Sequence, residues 1–341
     1  QYCLDMLPRV SRTFAPTIRM LPKGLSLQVT VAYLLCRIAD TVEDSPALAL
    51  DQKRNMLELY AAIFRNPDSL QSGDFMAHVY LLPKETPDDE LVYNLPVVLD
   101  VYNTFSPLMR GHIARWVIEM TNGMGKYAQS ALRRRFTFLN TMKELDEYTY
   151  YVAGTVGYLL TELFSYYSKT ITPAVKDKLE NLAESFGKGL QLVNIIRDMK
   201  NDLTRGQSYI PEELLRKYNL DRESIFREEN TERATQLFNE LIASAVDHLD
   251  RALDYVTLIP KYERRIRLFC ILPLFWAMRT LQLIQENTVH LLKKDKIKIS
   301  RSIIRSEYYL AFITVFSDRL MRWHYRSIRK QFTMLVPAPS Y

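Results

Sequence analysis

The chain has 341 residues and a mass of 40.0 kDa, with 48% hydrophobic residues, 25% charged residues and ten Gly. That is apolar material enough for a large core, which excludes a disordered chain, a collagen-like repeat and a disulfide-stapled miniprotein. The formal charge of +6 is concentrated: residues 293–330 hold eleven Lys/Arg against Asp295, Glu307 and Asp318, a local balance of +8. Cys3, Cys36 and Cys270 lie far apart, without Cys-x2-Cys or His-x3-His spacing, so reduced thiols and no zinc site are expected.

Helical periodicity runs the length of the chain. Val29, Ala32, Cys36, Ala39 and Val42 recur at three- and four-residue steps, and residues 48–65, 107–133 and 143–166 read the same way. Residues 66–96, broken by Pro67, Gly73, Pro83, Pro87 and Pro96, are the least regular and read as a surface excursion. Periodicity resumes at Phe186, Leu190, Val193 and Ile196 within 174–203, and again over 232–257, 263–290 and 301–330. Strand signals are nearly absent. With no Gly/Ser or Pro-rich linker near the middle, one all-α domain over residues 1–341 is expected, its helices packed around a central cavity. The longest apolar run, Leu268–Met278, is eleven residues, short of a bilayer span, and no signal peptide is visible. A cytoplasmic monomer without a transmembrane helix is expected.

Two acidic stripes carry the chemistry. In Arg37-Ile-Ala-Asp40-Thr-Val-Glu43-Asp44, Asp40 and Asp44 fall one helical turn apart, in line with Tyr33 and Arg37. A second stripe follows 158 residues later, where Gln191, Asn194, Asp198 and Asp202 share a face and Arg197 lies beside them. A solvated acidic face is the plainer reading of either stripe alone; two matching copies in apolar helices, each beside an Arg, argue against it. Like charges at that spacing weaken a helix, so a cation is expected. Hard oxygen donors suit Mg²⁺, which takes one or two carboxylates plus phosphate oxygens and draws off charge as a diphosphate leaves. Ionisation of an allylic diphosphate then leaves a carbocation, for which the 21 Tyr and 15 Phe offer candidate π faces.

Four motifs in order resemble those of the squalene/phytoene synthase family of head-to-head prenyltransferases: Ser11-Arg12-Thr13-Phe14, Arg37 with Asp40–Asp44, Tyr148-x2-Tyr151-Val152-Ala153-Gly154-x-Val156-Gly157, and Gln191–Asp202. The resemblance covers residues 8–290 and implies an isoprenoid-synthase-type bundle with two facing Asp-rich helices. It implies Mg²⁺ ligation by Asp40, Glu43, Asp44, Asp198 and Asp202. Diphosphate contacts are implied for Ser11, Arg12, Thr13, Phe14, Arg37, Gln191, Asn194 and Arg197. Tyr148 is implied as a catalytic phenol near the reacting carbons, and Tyr33, Tyr151, Val152, Ala153, Val156, Gly157, Leu160, Phe269 and Pro273 as the isoprenoid pocket. On spacing alone, Ala153, Gly154 and Gly157 serve an isoprenoid groove and close helix packing equally well.

There are departures. Asn201 stands where many relatives have Glu, Gln207 where they often have a phosphate-binding Arg, and Leu274 where eukaryotic squalene synthases usually have Gln. Arg205 is taken as the substitute for the missing Arg. Lys296-Ile-Lys298-Ile-Ser-Arg301 resembles the basic stretch of squalene synthases linked to NADPH, and Lys and Arg suit that cofactor's extra phosphate. The resemblance thus implies joining of two farnesyl diphosphates and NADPH-dependent reduction to squalene. Dehydrosqualene or phytoene synthesis without reduction, and a non-catalytic helical scaffold, are the alternatives. Residues 291–335 form the basic segment, whose Arg residues with Trp323, Tyr325 and Phe332 are expected to rest on a membrane surface. No nucleic-acid motif accompanies it.

Overall fold

The computed structural model describes residues 1–65, 71–132, 137–288, 292, 297–332 and 334–335. Contacts divide the chain into two compact units, residues 1–135 with 155–172 and residues 136–154 with 173–341. The chain passes between them three times, so no linker marks the division in the sequence.

The first unit is built on α3 (Lys23–Asp44), which contacts α1 (Tyr2–Val10), α4 (Leu50–Arg65), α6 (Pro87–Tyr93), α7 (Leu95–Asn103), α8 (Pro107–Leu132) and α10 (Thr155–Tyr167). Its Val29, Ala32, Leu35, Ile38, Ala39 and Val42 are all buried, the pattern of a helix enclosed on most sides. α2 (Phe14–Ile18) and α5 (Gln71–Val79) complete the unit. The stretch 66–96, expected to be irregular, thus holds α5 and α6. Thr86 and Asp89 form a reciprocal capping box at α6, with N–H···O distances of 3.1 and 2.8 Å, so the Pro-bounded spacing marks a helix start.

The second unit is built on α11 (Pro173–Thr204), which contacts α9 (Met142–Thr149), the π turn Tyr150–Gly154, α13 (Thr231–Leu258) and α14 (Arg264–Glu286). The periodic stretch 143–166 is therefore interrupted by a π turn rather than continuous. At the end of α11, Gly206 takes φ 73°, a left-handed conformation that glycine adopts without strain. That turn delivers β2 (Gln207–Ser208) to β1 (Thr137–Phe138) as a two-residue parallel pair, in register Thr137 to Gln207. The contact runs on as Glu212 and Glu213 of α12 (Glu212–Lys217) donate to the carbonyls of Leu139 and Asn140 at 3.0 and 2.9 Å. The C-terminal end of α11 is thereby tied to the start of α9.

By length and composition, α3 and α14 are each apolar enough to cross a bilayer, which the eleven-residue run understates. Of those apolar windows, 61% and 72% is buried inside the protein, as in core helices.

The stretch 301–330 forms two helices, α15 (Arg301–Thr314) and α16 (Asp318–Arg329), with the Ser317 hydroxyl capping the second. Charge pairs hold them to α13 and α14. Glu307 receives Arg279 Nε and His324 Nε2, both at 2.6 Å. Asp250 receives Arg329 at 2.9 Å and the Tyr325 hydroxyl at 2.8 Å, and Asp254 receives Arg322 at 2.7 Å. Asp318 meets buried Arg267. Part of the excess positive charge of the tail is therefore consumed inside the unit.

Burial pushes the Glu307 carboxyl up, but the hydrogen bonds from His324 and Arg279 outweigh it and hold the group below its ordinary value. A depressed carboxylate adds stability that is present above its unfolded value, about 4.3, and lost as pH falls through the folded value. Glu307→Gln is expected to cost about 3–5 kcal/mol at neutral pH. In denaturant titrations its deficit relative to the parent protein should shrink below about pH 4; a deficit that stays constant into acid would refute the ionic account.

Candidate functional site

The first stripe lies on the less buried strip of α3. Arg37 Nε donates to Asp88 of α6 at 2.8 Å, and its Nη1 lies 3.9 Å from Asp40. Asp40 has 34% of its side chain exposed, and burial of the remainder, with Asp44 and Asp88 nearby, pushes its pKa up to about 7 despite Arg37. Glu43 is buried and Asp44, the last residue of α3, is exposed. Lys53 of α4 donates to the Glu43 carbonyl at 2.5 Å, and its charge is felt by Asp44 and Glu43.

The Ser11–Phe14 segment meets the same strip. Buried Ser11 accepts from the Phe14 N–H at 3.1 Å and hydrogen-bonds Tyr33, whose ring lies 6.0 Å from that of Phe14. Burial raises the Tyr33 phenol above its ordinary range, while Ser11 and Arg37 oppose the shift. Arg12 and Thr13 are exposed beside them.

On α11 the predicted stripe is half-buried throughout. Gln191, Asn194, Asp198 and Asp202 are partly exposed, whereas Leu192, Val193, Ile195, Ile196 and Met199 are buried. Asn194 donates to Gln191 at 3.4 Å, and Arg197 binds both oxygens of Asp198 through Nε at 3.1 and 3.2 Å. Each stripe therefore carries its own Arg–Asp pair. Arg205 is exposed just past the helix, and Gln207 is buried in β2, so only Arg205 of the two reaches solvent.

Tyr148, in the last turn of α9, is 3% exposed, and its ring stacks on Tyr209 at 4.6 Å and 18°. In the π turn, Tyr151 packs edge-on against Tyr150 at 5.1 Å, while Val152 and Ala153 are half-buried. A Cβ on Gly187 of α11 would lie 2.0 Å from the Ala153 carbonyl oxygen and 2.9 Å from the Gly154 nitrogen. At Ala153 and Gly154 the small residues thus serve close backbone packing. On α10, Val156 is half-buried, and Gly157 and Leu160 are buried; on α14, Phe269 and Pro273 are buried. Lys298 and Arg301 are exposed, and Lys296 lies outside the described residues. Tyr325 and Phe332, expected on a membrane surface, are instead core residues at 2% and 0% exposure, Tyr325 because it lies on the inward face of α16, bonded to Asp250; Trp323 is exposed.

Asp88, Lys53 and Tyr209 were not singled out in the sequence. Thr86-Pro-Asp-Asp-Glu carries a helix-start signal that places Asp88 in a first turn; nothing local marks Lys53 or Tyr209. Among the described residues, no three His, Cys, Asp or Glu side chains converge to hold a metal ion. The donors nevertheless fit Mg²⁺, which needs only one or two carboxylates when phosphate oxygens and water fill its shell. A cation would also relieve the mutual repulsion of Asp40, Asp44 and Asp88. Exposed Lys298 and Arg301 fit the phosphates of a nucleotide cofactor.

Residues 7–302 match the family model described as squalene/phytoene synthase. The squalene synthase of Schizosaccharomyces pombe is 32% identical over 286 residues, covering 84% of this chain and 59% of that protein. That of Eremothecium gossypii is 30% identical over 340 residues, covering 98% of this chain and 73% of its own. The chain thus spans less than two thirds of the first relative and nearly three quarters of the second. A solved complex of TcSQS with a ligand superposes with a TM-score of 0.81 at 23% identity, covering 100% of this chain and 93% of that one. A dehydrosqualene synthase in complex with ligand gives 0.60 at 20% identity, covering 97% and 96%. These structural likenesses establish the all-α fold class.

The close approach at Gly187 yields a paired expectation. Gly187→Ala forces a methyl against backbone that cannot rotate away, and should destabilise the protein by about 1–3 kcal/mol. Gly111→Ala in α8 meets nothing within 4 Å and should stabilise by about 0.5–1 kcal/mol. Denaturant unfolding of both variants checks this; equal effects would mean that the π turn yields to the added methyl.

Proposed function

The chain belongs to the squalene/phytoene synthase family, and from that premise we propose that it is a prenyltransferase making squalene. It joins two farnesyl diphosphates head to head into presqualene diphosphate and reduces that intermediate with NADPH. The observation that carries the reading is the Asp-x3-Asp stripe, with its Arg, on the central helix of each unit, half-buried at Asp40, Asp198 and Asp202 and exposed at Asp44.

Mg²⁺, when bound through Asp40, Glu43, Asp44, Asp198 and Asp202, supplies the positive charge that stabilises departing diphosphate. The side chains do the rest. Arg37 and Arg197 hold the carboxylates of their own stripes in place and offer remaining guanidinium donors to phosphate oxygens. Ser11, Arg12, Thr13 and Phe14 take the diphosphate beside Tyr33, and Gln191, Asn194 and Arg205 contribute neutral and cationic donors on the other helix. Tyr148, fixed by its stack on Tyr209, directs its phenol toward the reacting carbons, where it moves a proton to departing diphosphate or faces the cation. Tyr151, Val152, Ala153, Val156, Gly157, Leu160, Phe269 and Pro273 line the isoprenoid pocket and exclude water. Lys298 and Arg301, with Lys296, receive the NADPH phosphates. The enzyme works as a monomer at a membrane surface, where its lipid substrates and product reside.

The decisive assay supplies Mg²⁺ and either farnesyl diphosphate or its C20 homologue, with and without NADPH, and identifies lipids by mass. Squalene should form only with NADPH; the same unreduced C30 product in both cases would make the chain a dehydrosqualene synthase, and no product from C15 or C20 diphosphate would leave a scaffold. Asp40→Asn and Asp198→Asn should each lower turnover by about 100-fold or more, with helix content by circular dichroism unchanged. Retained activity in both would remove the stripes from the mechanism.

Lys298→Ala with Arg301→Ala should remove about two charge-assisted contacts of roughly 1.5–3 kcal/mol each. The apparent NADPH affinity should drop by at least tenfold while the first condensation proceeds, so presqualene diphosphate accumulates. Normal squalene output at ordinary cofactor concentration would place the nicotinamide site elsewhere.

A further inference from the structure

We infer that the corner where α15 meets α16 is the surface by which the protein seats on an anionic lipid bilayer. This deepens the membrane reading proposed above and rests on it, but it uses none of the residues assigned to the reaction.

The corner is apolar on the side turned away from the core. Tyr309, Phe312, Ile313 and Phe316 recur at three- and four-residue intervals, and Leu320 and Trp323 extend the cluster onto α16; Ile313 and Trp323 are 63% and 65% exposed. The opposite faces of the same helices already supply the core, through Ala311, Thr314, Met321, Tyr325 and Ile328. These two helices are therefore apolar on both sides, and only one side is used inside the unit. A soluble surface scatters its exposed apolar residues singly; a contiguous cluster marks a contact site.

A neighbouring turn enlarges the cluster. Lys261 pairs with Asp318 at 3.2 Å, and the Arg264 guanidinium sits over the Phe316 ring at 4.6 Å. These contacts bring Tyr262, 86% exposed, to the same corner. Around it positive charge predominates: Arg264, Arg265, Arg305, Arg319 and Arg326 are exposed, against one half-buried carboxylate, Glu263. The nearby carboxylates are already engaged, Asp318 with Arg267 and Lys261, and buried Glu307 with Arg279 and His324.

An apolar tip carrying Tyr and Trp, rimmed by Arg with long apolar stems, matches the depth profile of a bilayer interface. Aromatic rings sit at headgroup level, aliphatic and Phe side chains reach below, and guanidinium groups meet lipid phosphates and carboxylates. Charge complementarity selects an anionic bilayer over a neutral one.

Vesicle cosedimentation tests the inference, with phosphatidylcholine alone and with roughly 30 mol% phosphatidylserine added. The protein should bind the anionic vesicles, and less so as salt rises. Ile313→Ser with Phe316→Ser and Trp323→Ser should abolish binding while the turnover of detergent-dispersed farnesyl diphosphate stays at the parent value. Arg305→Glu with Arg319→Glu should weaken binding to anionic vesicles by about 5-fold per removed cation or more, and flatten the salt dependence. Tyr80→Ser with Leu81→Ser, exposed apolar residues of the other unit, should leave binding intact. If the parent protein binds and the corner variants bind equally well, the surface is wrong while the membrane reading stands. If the parent protein binds neither vesicle, both are wrong. If light scattering finds a dimer that the triple-Ser variant dissolves, and no vesicle binding, the corner is a self-association face and the inference is overturned.

Discussion

Charge placed on a core helix has to be compensated close by, and that constraint shapes both units. α3 is apolar around most of its circumference, so Asp40 cannot reach bulk water freely and its carboxyl is pushed up to about 7. Arg37 compensates only in part, since it divides itself between Asp40 and Asp88. The position of α6 follows from this. Its capping box fixes the start of the helix, and that start delivers Asp88 to Arg37 and Glu90 to Arg9, the latter through two bonds of 2.7–2.8 Å. A surface excursion in the sequence becomes the element that orients the Arg of the first stripe. α11 solves the same problem within a single helix, with Arg197 folded onto the adjacent Asp198. The two stripes look alike in sequence, but their Arg–Asp pairs are braced differently: Arg37 of the first is shared with α6, whereas Arg197 of the second sits on the adjacent Asp198.

What the sequence made legible follows from that difference. Long periodic helices were readable because burial imposes the 3.6-residue period directly, and α4, α8, α11 and α13 start and stop within two residues of the expected stretches. The stripes were readable because Asp-x3-Asp in apolar surroundings is costly unless used. Asp88, Lys53 and Tyr209 were not, because each reaches its partner through tertiary packing across a sequence separation that no local pattern encodes. The division into two units leaves no linker in the sequence: of the three crossings between them, the one at 154/155 falls inside continuous helical pattern and the one at 172/173 in the short connection before α11.

The motif Tyr148–Gly157 shows how a local rule fails where the backbone departs from it. Its spacing reads as one helix with a small-residue face. The π turn at Tyr150–Gly154 adds a residue to that turn, so faces counted at 3.6 residues before it do not carry past it. What accommodates the turn is visible on α11. Gly187 has no Cβ, and the Ala153 carbonyl occupies the space a Cβ would need. Gly187 and the Ala-Gly pair are thus complementary halves of one contact between the π turn and α11. Tyr148, on the last turn before it, is placed by backbone packing on one side and by its stack on Tyr209 on the other.

The basic tail separates charge as counted from charge as presented. Read along the sequence, residues 293–330 are a single block of positive charge. In the folded unit, Arg322 and Arg329 are spent on Asp254 and Asp250, and these pairs are what hold α16 to α13. Tyr325 and Phe332 go inward with them, since a helix anchored by Arg329 and Tyr325 at Asp250 must turn that face to the core. The same anchoring fixes the outward face: Arg319, Trp323 and Arg326 fall at steps of four and three on the side opposite Tyr325 and Ile328. Composition could name the residue types that meet a membrane, but only the buried pairs decide which members of the block remain outside to do so.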